Sequence, residues 1–397
     1  YESPDGRVSQ TIITMTALEQ SPTQPTGPWI STDASGYQWA RSITLGAHCR
    51  SEWLGHVTVI NQDPDGRRLY FPLSSEVDTR AKLEGHSALD RSEQLHGAYR
   101  SWIRHRPQVS GHAALASWYQ QGLHDIRMLL SNLGDGPIVV AGVPWYAVPF
   151  GRDSLITARQ LMLAAPDIVR GTLTTMAHFQ GTRHDPFRDE QPGKIVHEIR
   201  DGELSRTHRI PFARYYGSID ATPWFLLLTA EYFRWTGDDS FLTSLLPHVQ
   251  QALQWMVLFG DYDHDGLLEY WRQSDQGIAN QGWKDSGDSV MFPSGELLQG
   301  PIALCEVQAY AYQAYVEWAD IFRKLGYTTE AQECTTNAEH LKAQFYRYFL
   351  QPNGAVAFAL DGEKRPSVVG TSNLGHLLLS DLIPQESQKF IVQLLMS

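Results

Sequence analysis

Cysteine is scarce. Cys49, Cys305 and Cys334 are the only three in 397 residues, an odd number at wide spacing that gives neither a disulfide framework nor a zinc-ligand pattern and predicts a reducing, cytoplasmic setting. Positive charge is also in deficit: 32 Lys and Arg against 44 Asp and Glu give a formal net charge of -12. Without a basic cluster to neutralise phosphates, nucleic acid is excluded as a partner. No apolar run approaches the roughly 20 residues that cross a bilayer, so a membrane partner is excluded too. The opening Tyr1-Glu2-Ser3-Pro4 has neither a methionine nor a basic-then-apolar leader. The last residues, Phe390 to Ser397, stop inside a helical pattern without a closing signal, so both ends read as those of a fragment. A glycine-rich phosphate loop, HExxH, CxxC and a Ser/His/Asp nucleophile elbow are missing, which removes common nucleotide, metallo- and serine-hydrolase readings. No cofactor is implied.

Aromatic residues are plentiful, with 12 Trp, 17 Tyr and 15 Phe; they suit core packing and, equally, the stacking faces of a carbohydrate-handling protein. Residues 7 to about 80 alternate apolar and polar side chains, as in Gln10-Thr11-Ile12-Ile13-Thr14-Met15 and His56-Val57-Thr58-Val59-Ile60, and predict a small antiparallel β-sandwich-like domain over 1–78. The polar, basic stretch 79–108, with Arg100, Arg104 and Arg106 around Trp102, reads as a helical or irregular linker. From 109 to 397 helical periods dominate, over 113–130, 154–163, 166–180, 222–235, 241–259, 301–325, 329–349, 374–382 and 384 to the end. Long loops at 142–153, 181–220 and 261–300 separate them, far longer than ordinary connections. Helices alternating with long loops, without a βαβ pattern, predict a mainly α fold: an (α/α)6 six-hairpin toroid, incomplete at its C-terminus, with its working loops at one end.

The loops carry the chemistry. In Asn280-Gln281-Gly282-Trp283-Lys284-Asp285-Ser286-Gly287-Asp288, Trp283 can stack on a pyranose, Gln281 can bond hydroxyls, and an acid beside the apolar indole would have its pKa raised, as a proton donor requires. Asp285 is the candidate acid and Asp288 its rival. Lys284, as a neighbouring cation, would work against that shift. Trp145 precedes Arg152 and Asp153, where Asp153 either caps a helix or meets a ligand and Arg152 offers a planar donor fork. His197 and Glu198 lie in a charged segment in which Arg200 is expected to hold Glu198 ionised. Tyr216 and Asp220 come before a helix expected to start near Pro223 with Thr222 as its cap. Glu306, with Gln308, opens another helix in an apolar stretch, where a buried acid needs a partner. Asp261, Asp263, Asp265 and Glu269 resemble half a calcium loop, but the twelfth position is Arg272; a plain Asp/Gly turn is the alternative, and no metal site is assigned.

Six strings, AGVPWYAVPFGRDS, PGKIVHEIRDGEL, YYGSIDATPWF, NQGWKDSGDS, PIALCEVQAYAYQA and TSNLGH, together resemble bacterial amylo-α-1,6-glucosidase-type proteins of the glycogen-debranching group. The resemblance spans essentially the whole chain. It implies a β domain followed by an (α/α)6 catalytic barrel and inverting hydrolysis of α-glucosidic links in an α-glucan or oligosaccharide. In that chemistry one carboxylic acid protonates the leaving oxygen and a second carboxylate, about 6.5 to 9.5 Å away, activates water. By resemblance Asp285 is the general acid, Arg152 and Asp153 contact the terminal sugar, and His197, Glu198 and Asp220 line the pocket. Glu306 and Gln308 form further subsites. The family's second carboxylate falls in the late barrel, beyond Ser397, which predicts little turnover from these residues alone. Two other readings stand: a glucosidase or mannosidase on another small glycoside, and a non-catalytic carbohydrate-binding protein.

Overall fold

The computed structural model describes residues 8–18, 29–33, 36–44, 52–62 and 88–397, with side chains from residue 96 onward. Cys49, and the parts of the 1–78 and 79–108 readings between these segments, lie outside the described residues.

The chain divides after Arg106 into two compact units. In the first, β1 (Val8–Leu18), β2 (Trp29–Asp33), β3 (Gly36–Thr44) and β4 (Glu52–Gln62) form one antiparallel sheet in the order β1-β4-β3-β2. β1 and β4 pair along their whole length, from Val8 opposite Gln62 to Leu18 opposite Glu52. The period-2 alternation read from the sequence fits strands in this region. Among the described residues this unit holds a single sheet, followed by α1 (Ala88–Arg104).

The second unit is helical. α2 (Ala113–Met128) is followed by a small hairpin of β5 (Leu130–Asn132) and β6 (Pro137–Val139). Then come α3 (Gly151–Gln160), α4 (Pro166–His178), the one-turn α5 (Glu203–Arg206), α6 (Ala221–Thr236), α7 (Asp239–Leu258), α8 (Cys305–Leu325) and α9 (Thr328–Tyr348). Local chemistry marks the ends: Pro166 opens α4, the Asp238 carboxylate accepts the Phe241 N–H at 3.0 Å to cap α7, and Gly237 and Gly326 end α6 and α8 in the left-handed conformation.

Burial patterns separate inner from outer helices. α6 buries Ala221 to Ala230 without a break, and α8 does the same from Cys305 to Ala311. α7 buries Phe241, Leu242, Leu245, Val249, Ala252, Trp255 and Met256, and α9 buries Ala331, Cys334, Ala338, Leu341 and Phe345. The last two are single stripes spaced three and four apart, the signature of a helix with one face to solvent. α6 and α8 therefore form an inner row, which α3 joins by packing on α6, with α7 and α9 folded back outside it and α4 packed on α3, and the N-terminal ends of α3, α6 and α8 meet at the long loops.

Two expected helices change. Residues 301–304 do not begin a helix: Ile302 pairs with Tyr270, and β7 (Ala303–Leu304) pairs with β8 (Ala359–Leu360), itself flanked by β9 (Pro366–Ser367). Tertiary pairing wins there over an apolar run that local pattern cannot distinguish from helix. Residues Ser372–Leu379 form 3-10 turns, with Gly375 inside and the side chains of Asn373 and His376 tied to α8, before α10 (Gln385–Met396).

Candidate active site

The three inner helices begin with the residues singled out from the sequence: Arg152 is the second residue of α3, Asp220 immediately precedes α6, and Glu306 is the second residue of α8. Backbone hydrogen bonds assemble the loops around them. The Gly151 N–H donates to the His197 carbonyl at 2.7 Å, His197 N–H to Tyr215 at 2.6 Å, and Ile219 N–H to Gln281 at 2.8 Å. Four sequence strings thus meet through main-chain contacts whose own side chains need no complementarity. Glycine is required at 151, where a side chain would meet backbone, and at 282 a side chain would have to displace the tip of Leu304. A Cβ on Gly151 would lie 2.1 Å from the Val196 carbonyl oxygen, and one on Gly282 would lie 2.1 Å from the Leu304 Cδ1.

Arg152 organises the centre. Its Nη1 donates to both Asp220 oxygens, at 3.0 and 3.3 Å, and to the Gly282 carbonyl at 2.7 Å; its Nη2 reaches Asp285 Oδ2 at 3.4 Å. Burial opposes the guanidinium's charge, but Asp220, Asp153 and Asp285 outweigh it and hold its pKa above the ordinary value. Asp220 is fully buried and also accepts from Ser218 Oγ at 2.6 Å. It sits at the N-cap position of α6 without capping it, and Thr222, expected as the cap, instead accepts from the Ile195 N–H. Asp153 lies in the first turn of α3, behind a Phe150 N-cap, with its side chain 43% exposed.

Asp285, its side chain 44% exposed, is with Asp153 one of the two accessible acids of the group. Its partner is the Arg152 guanidinium rather than the apolar wall expected from the indole. Trp283 is half-exposed, with its ring centroid 4.4 Å from that of His376, and the Lys284 ammonium lies 5.8 Å from the same indole. His376 shares a 2.5 Å hydrogen bond with the Tyr310 hydroxyl, so the Trp283 platform is braced on α8. Asp288 is exposed, and Trp145 is 79% exposed at the rim, its carbonyl accepting from Arg200.

Glu198 is bonded by Arg200 at 2.8 Å, yet burial outweighs that cation and raises its pKa, opposite to the sequence expectation. His197 is buried between the rings of Phe150 and Tyr215. Burial first, then Arg152, Lys194 and Arg200, push its pKa well below the usual value, so the imidazole is neutral.

Three candidates are engaged in the framework. Gln308 clamps Leu268 through both its backbone N–H and carbonyl, the Tyr216 hydroxyl donates to the Phe179 carbonyl, and the Gln281 amide donates to Asp189. Asp189 was not legible as a site residue. Its carboxylate also gathers the Tyr215 hydroxyl and the backbone N–H groups of Gln273 and Ser274. No local signal distinguishes it within the charged run around it.

Glu306 accepts from Asn373 Nδ2 at 2.7 Å, and burial pushes its carboxyl from 4.5 up to about 7. The folded state therefore binds more protons between those values, so stability is greatest below the lower one and declines until pH passes the upper one. Glu306→Gln keeps an acceptor for Asn373 and is expected to abolish this decline. Relative to wild type, the variant should gain on the order of 3 kcal/mol between about pH 4 and pH 8. Urea unfolding at the two pH values measures this; an identical difference at both would reject a protonated Glu306.

The calcium-like loop holds its own cation. The Lys364 ammonium lies 3.1 Å from Asp263, 2.9 Å from Asp265, and in contact with Glu269, while the Asp261 carboxylate accepts the N–H groups of Asp265 and Gly266. Calcium is expected to leave the wild-type melting temperature unchanged. Lys364→Met, which strands these carboxylates, should cost on the order of 3 kcal/mol in denaturant unfolding.

No family model matches the sequence, and no curated protein does. Among solved structures the chain is similar to a GH78 family rhamnosidase of Bacillus sp. GL1 (13% identity, TM-score 0.55, all of this chain and 38% of that one). It is also similar to a rhamnosidase from Klebsiella oxytoca with rhamnose bound (9%, 0.50, 98% and 69%) and to a bacterial glucoamylase complexed with acarbose (11%, 0.50, 86% and 50%). The chain thus spans 38% of the length of the Bacillus rhamnosidase. At these identities the likeness establishes the fold, which is that of the (α/α)6 glycosidase toroids. No helix among the described residues is long and apolar enough to cross a membrane.

Proposed function

We propose that this chain carries the acid half of a glycoside hydrolase site of the amylo-α-1,6-glucosidase type, cleaving α-glucosidic links with inversion. One observation supports this reading above the others: at the N-terminal end of the inner helices, Asp285 is a half-exposed carboxyl two positions along the chain from the exposed Trp283, while Asp220 is held by Arg152, Glu198 by Arg200 and Glu306 by Asn373, and the equally exposed Asp153 sits in the first turn of α3. A sugar stacked on Trp283 would lay its glycosidic oxygen near Asp285, which donates the proton as the bond breaks. The 3.4 Å contact with Arg152 is the longest of that guanidinium's hydrogen bonds, so Asp285 can turn toward a ligand without dismantling the buried pair.

Asp220, Glu198 and Glu306 are each spent on internal partners, so the water-activating carboxylate is sought elsewhere. The resemblance to the debranching group assigns it to the late barrel. A second reading, hydrolysis of another small glycoside such as an α-rhamnoside, is favoured by the likeness to two rhamnosidases. Incubation of the full-length protein with a branched α-glucan, isomaltose, maltotriose, and aryl α-mannoside and α-rhamnoside decides between them. Proton NMR should show β-glucose as the first product; α-glucose, or turnover of the rhamnoside alone, would reject the debranching-type assignment.

A further inference from the structure

A cavity of about 160 Å3 lies between the 182–194 loop, the C-terminal end of α7 and the 260–281 loop. It backs onto the candidate active site through Gln281, but none of the residues assigned a role in proton donation or stacking lines it. Two polar groups in its wall are only partly paired, although the Lys194 ammonium also lies 5.6 Å from the Trp255 ring centroid. Lys194 is 6% exposed and has three ammonium hydrogens, for which a single acceptor is found among the described residues, the Asp189 carbonyl at 3.3 Å. Glu269 is 2% exposed; its Oε1 meets Lys364, and its Oε2 has no hydrogen-bond partner among the described residues. Buried groups left this way each cost roughly 1–3 kcal/mol. Burial lowers the Lys194 ammonium to about 8 and raises the Glu269 carboxyl to about 7, the direction expected of groups short of partners.

The rim supplies a different chemistry. Trp271 and Tyr262 are 45% and 46% exposed, although both line the cavity, and Trp255 forms part of its buried wall. Flat apolar faces beside one unspent donor and one unspent acceptor match a neutral polyhydroxylated ring, whose hydroxyls both accept and donate. An anion is disfavoured because Asp185, Asp189, Glu190 and Glu269 share the wall, and a cation because Lys194 does.

We propose that this cavity is a second saccharide-binding site, in which a neutral α-glucan chain stacks on Trp271 and Tyr262 and hydrogen-bonds Lys194 and Glu269. Its choice of glucose as the sugar rests on the functional reading above. Such a site would hold the body of a branched polymer while a branch end enters the active site, raising the local concentration of ends.

Hydroxyl-radical footprinting of the 397-residue chain with maltoheptaose tests this directly. Protection of Trp271 and Tyr262 is expected in wild type and equally in Trp283→Ala, which lacks the active-site platform. Trp271→Ala, a change at an exposed side chain, should weaken maltoheptaose binding in calorimetry about tenfold at this site while leaving turnover of isomaltose unchanged. If Trp271 stays unprotected up to about 10 mM maltoheptaose, well above the range of weak binding, or if its protection disappears in Trp283→Ala, the proposal fails. The isomaltose assay, run on the full-length protein with its second carboxylate, stands apart from the footprint: protection without turnover would remove the hydrolase reading and leave the binding site, whereas turnover without protection would do the reverse.

Discussion

Asp285→Asn is expected to lower hydrolysis of α-glucosidic substrates by about two to four orders of magnitude, the usual contribution of a positioned proton donor. Asparagine preserves the size of the side chain and its carbonyl oxygen can still accept from Arg152 Nη2, which now reaches Asp285 Oδ2 at 3.4 Å. Folding and ligand affinity should therefore survive. The measurement is paired and uses the full-length protein: kcat on isomaltose, and the dissociation constant of maltotriose by calorimetry in the same preparation. Retained affinity with lost turnover supports proton donation. Loss of both would make Asp285 a binding residue, and unchanged turnover would shift the role to the exposed Asp288 or to another group. A substrate with an activated aryl leaving group needs less protonation, so it should recover much of the rate in Asp285→Asn. No such recovery is expected if the residue only positions the sugar.

Removal of Arg152 should have the largest effect on the fold itself. Its side chain is 7% exposed, and it is the cation facing Asp220, whose side chain is 0% exposed. Arg152→Leu would strand that carboxylate in the interior together with the Gly282 carbonyl. Breaking a buried pair on one side costs about 3–5 kcal/mol, which corresponds to a fall in melting temperature of roughly 10 °C for a unit of this size. Arg152→Leu combined with Asp220→Leu should recover much of that stability, because no buried charge remains, yet it should stay inactive because Gly282 and Asp285 lose their common donor. A single variant that melts with wild type would mean that water reaches Asp220, and the view of Arg152 as the organising cation would fall.

Much of the architecture was readable because helix formation is a local matter. The three- and four-residue spacing of apolar side chains in α7 and α9, Pro166 at the start of α4, and the Gly237 and Gly326 stops are written within a few residues of the structure they cause. The positions of Arg152, Asp220, Glu306 and Asp285 were legible for a related reason: charge next to apolar periodicity stands out in a string. What each of these groups does was less legible. Gln308 looked like a ligand contact and is a clamp on Leu268; Glu198 was expected to be held ionised by Arg200, and burial reverses the direction. Lys364 occupies the middle of an aspartate loop that lies about a hundred residues earlier in the chain.

The sequence by itself determined the mainly helical class and the segments that would carry polar chemistry, since composition, period and turn residues act over short range. Tertiary structure alone decided which of those polar groups stay accessible and which face each other. Gly151 meeting Val196, Ile219 meeting Gln281 and Arg152 meeting both Asp220 and Asp285 are encounters across 45 to 133 positions, set by the packing of α3, α6 and α8. Burial and charge balance at each site follow from that packing, because desolvation depends on everything that surrounds a group and only slightly on its neighbours in the chain.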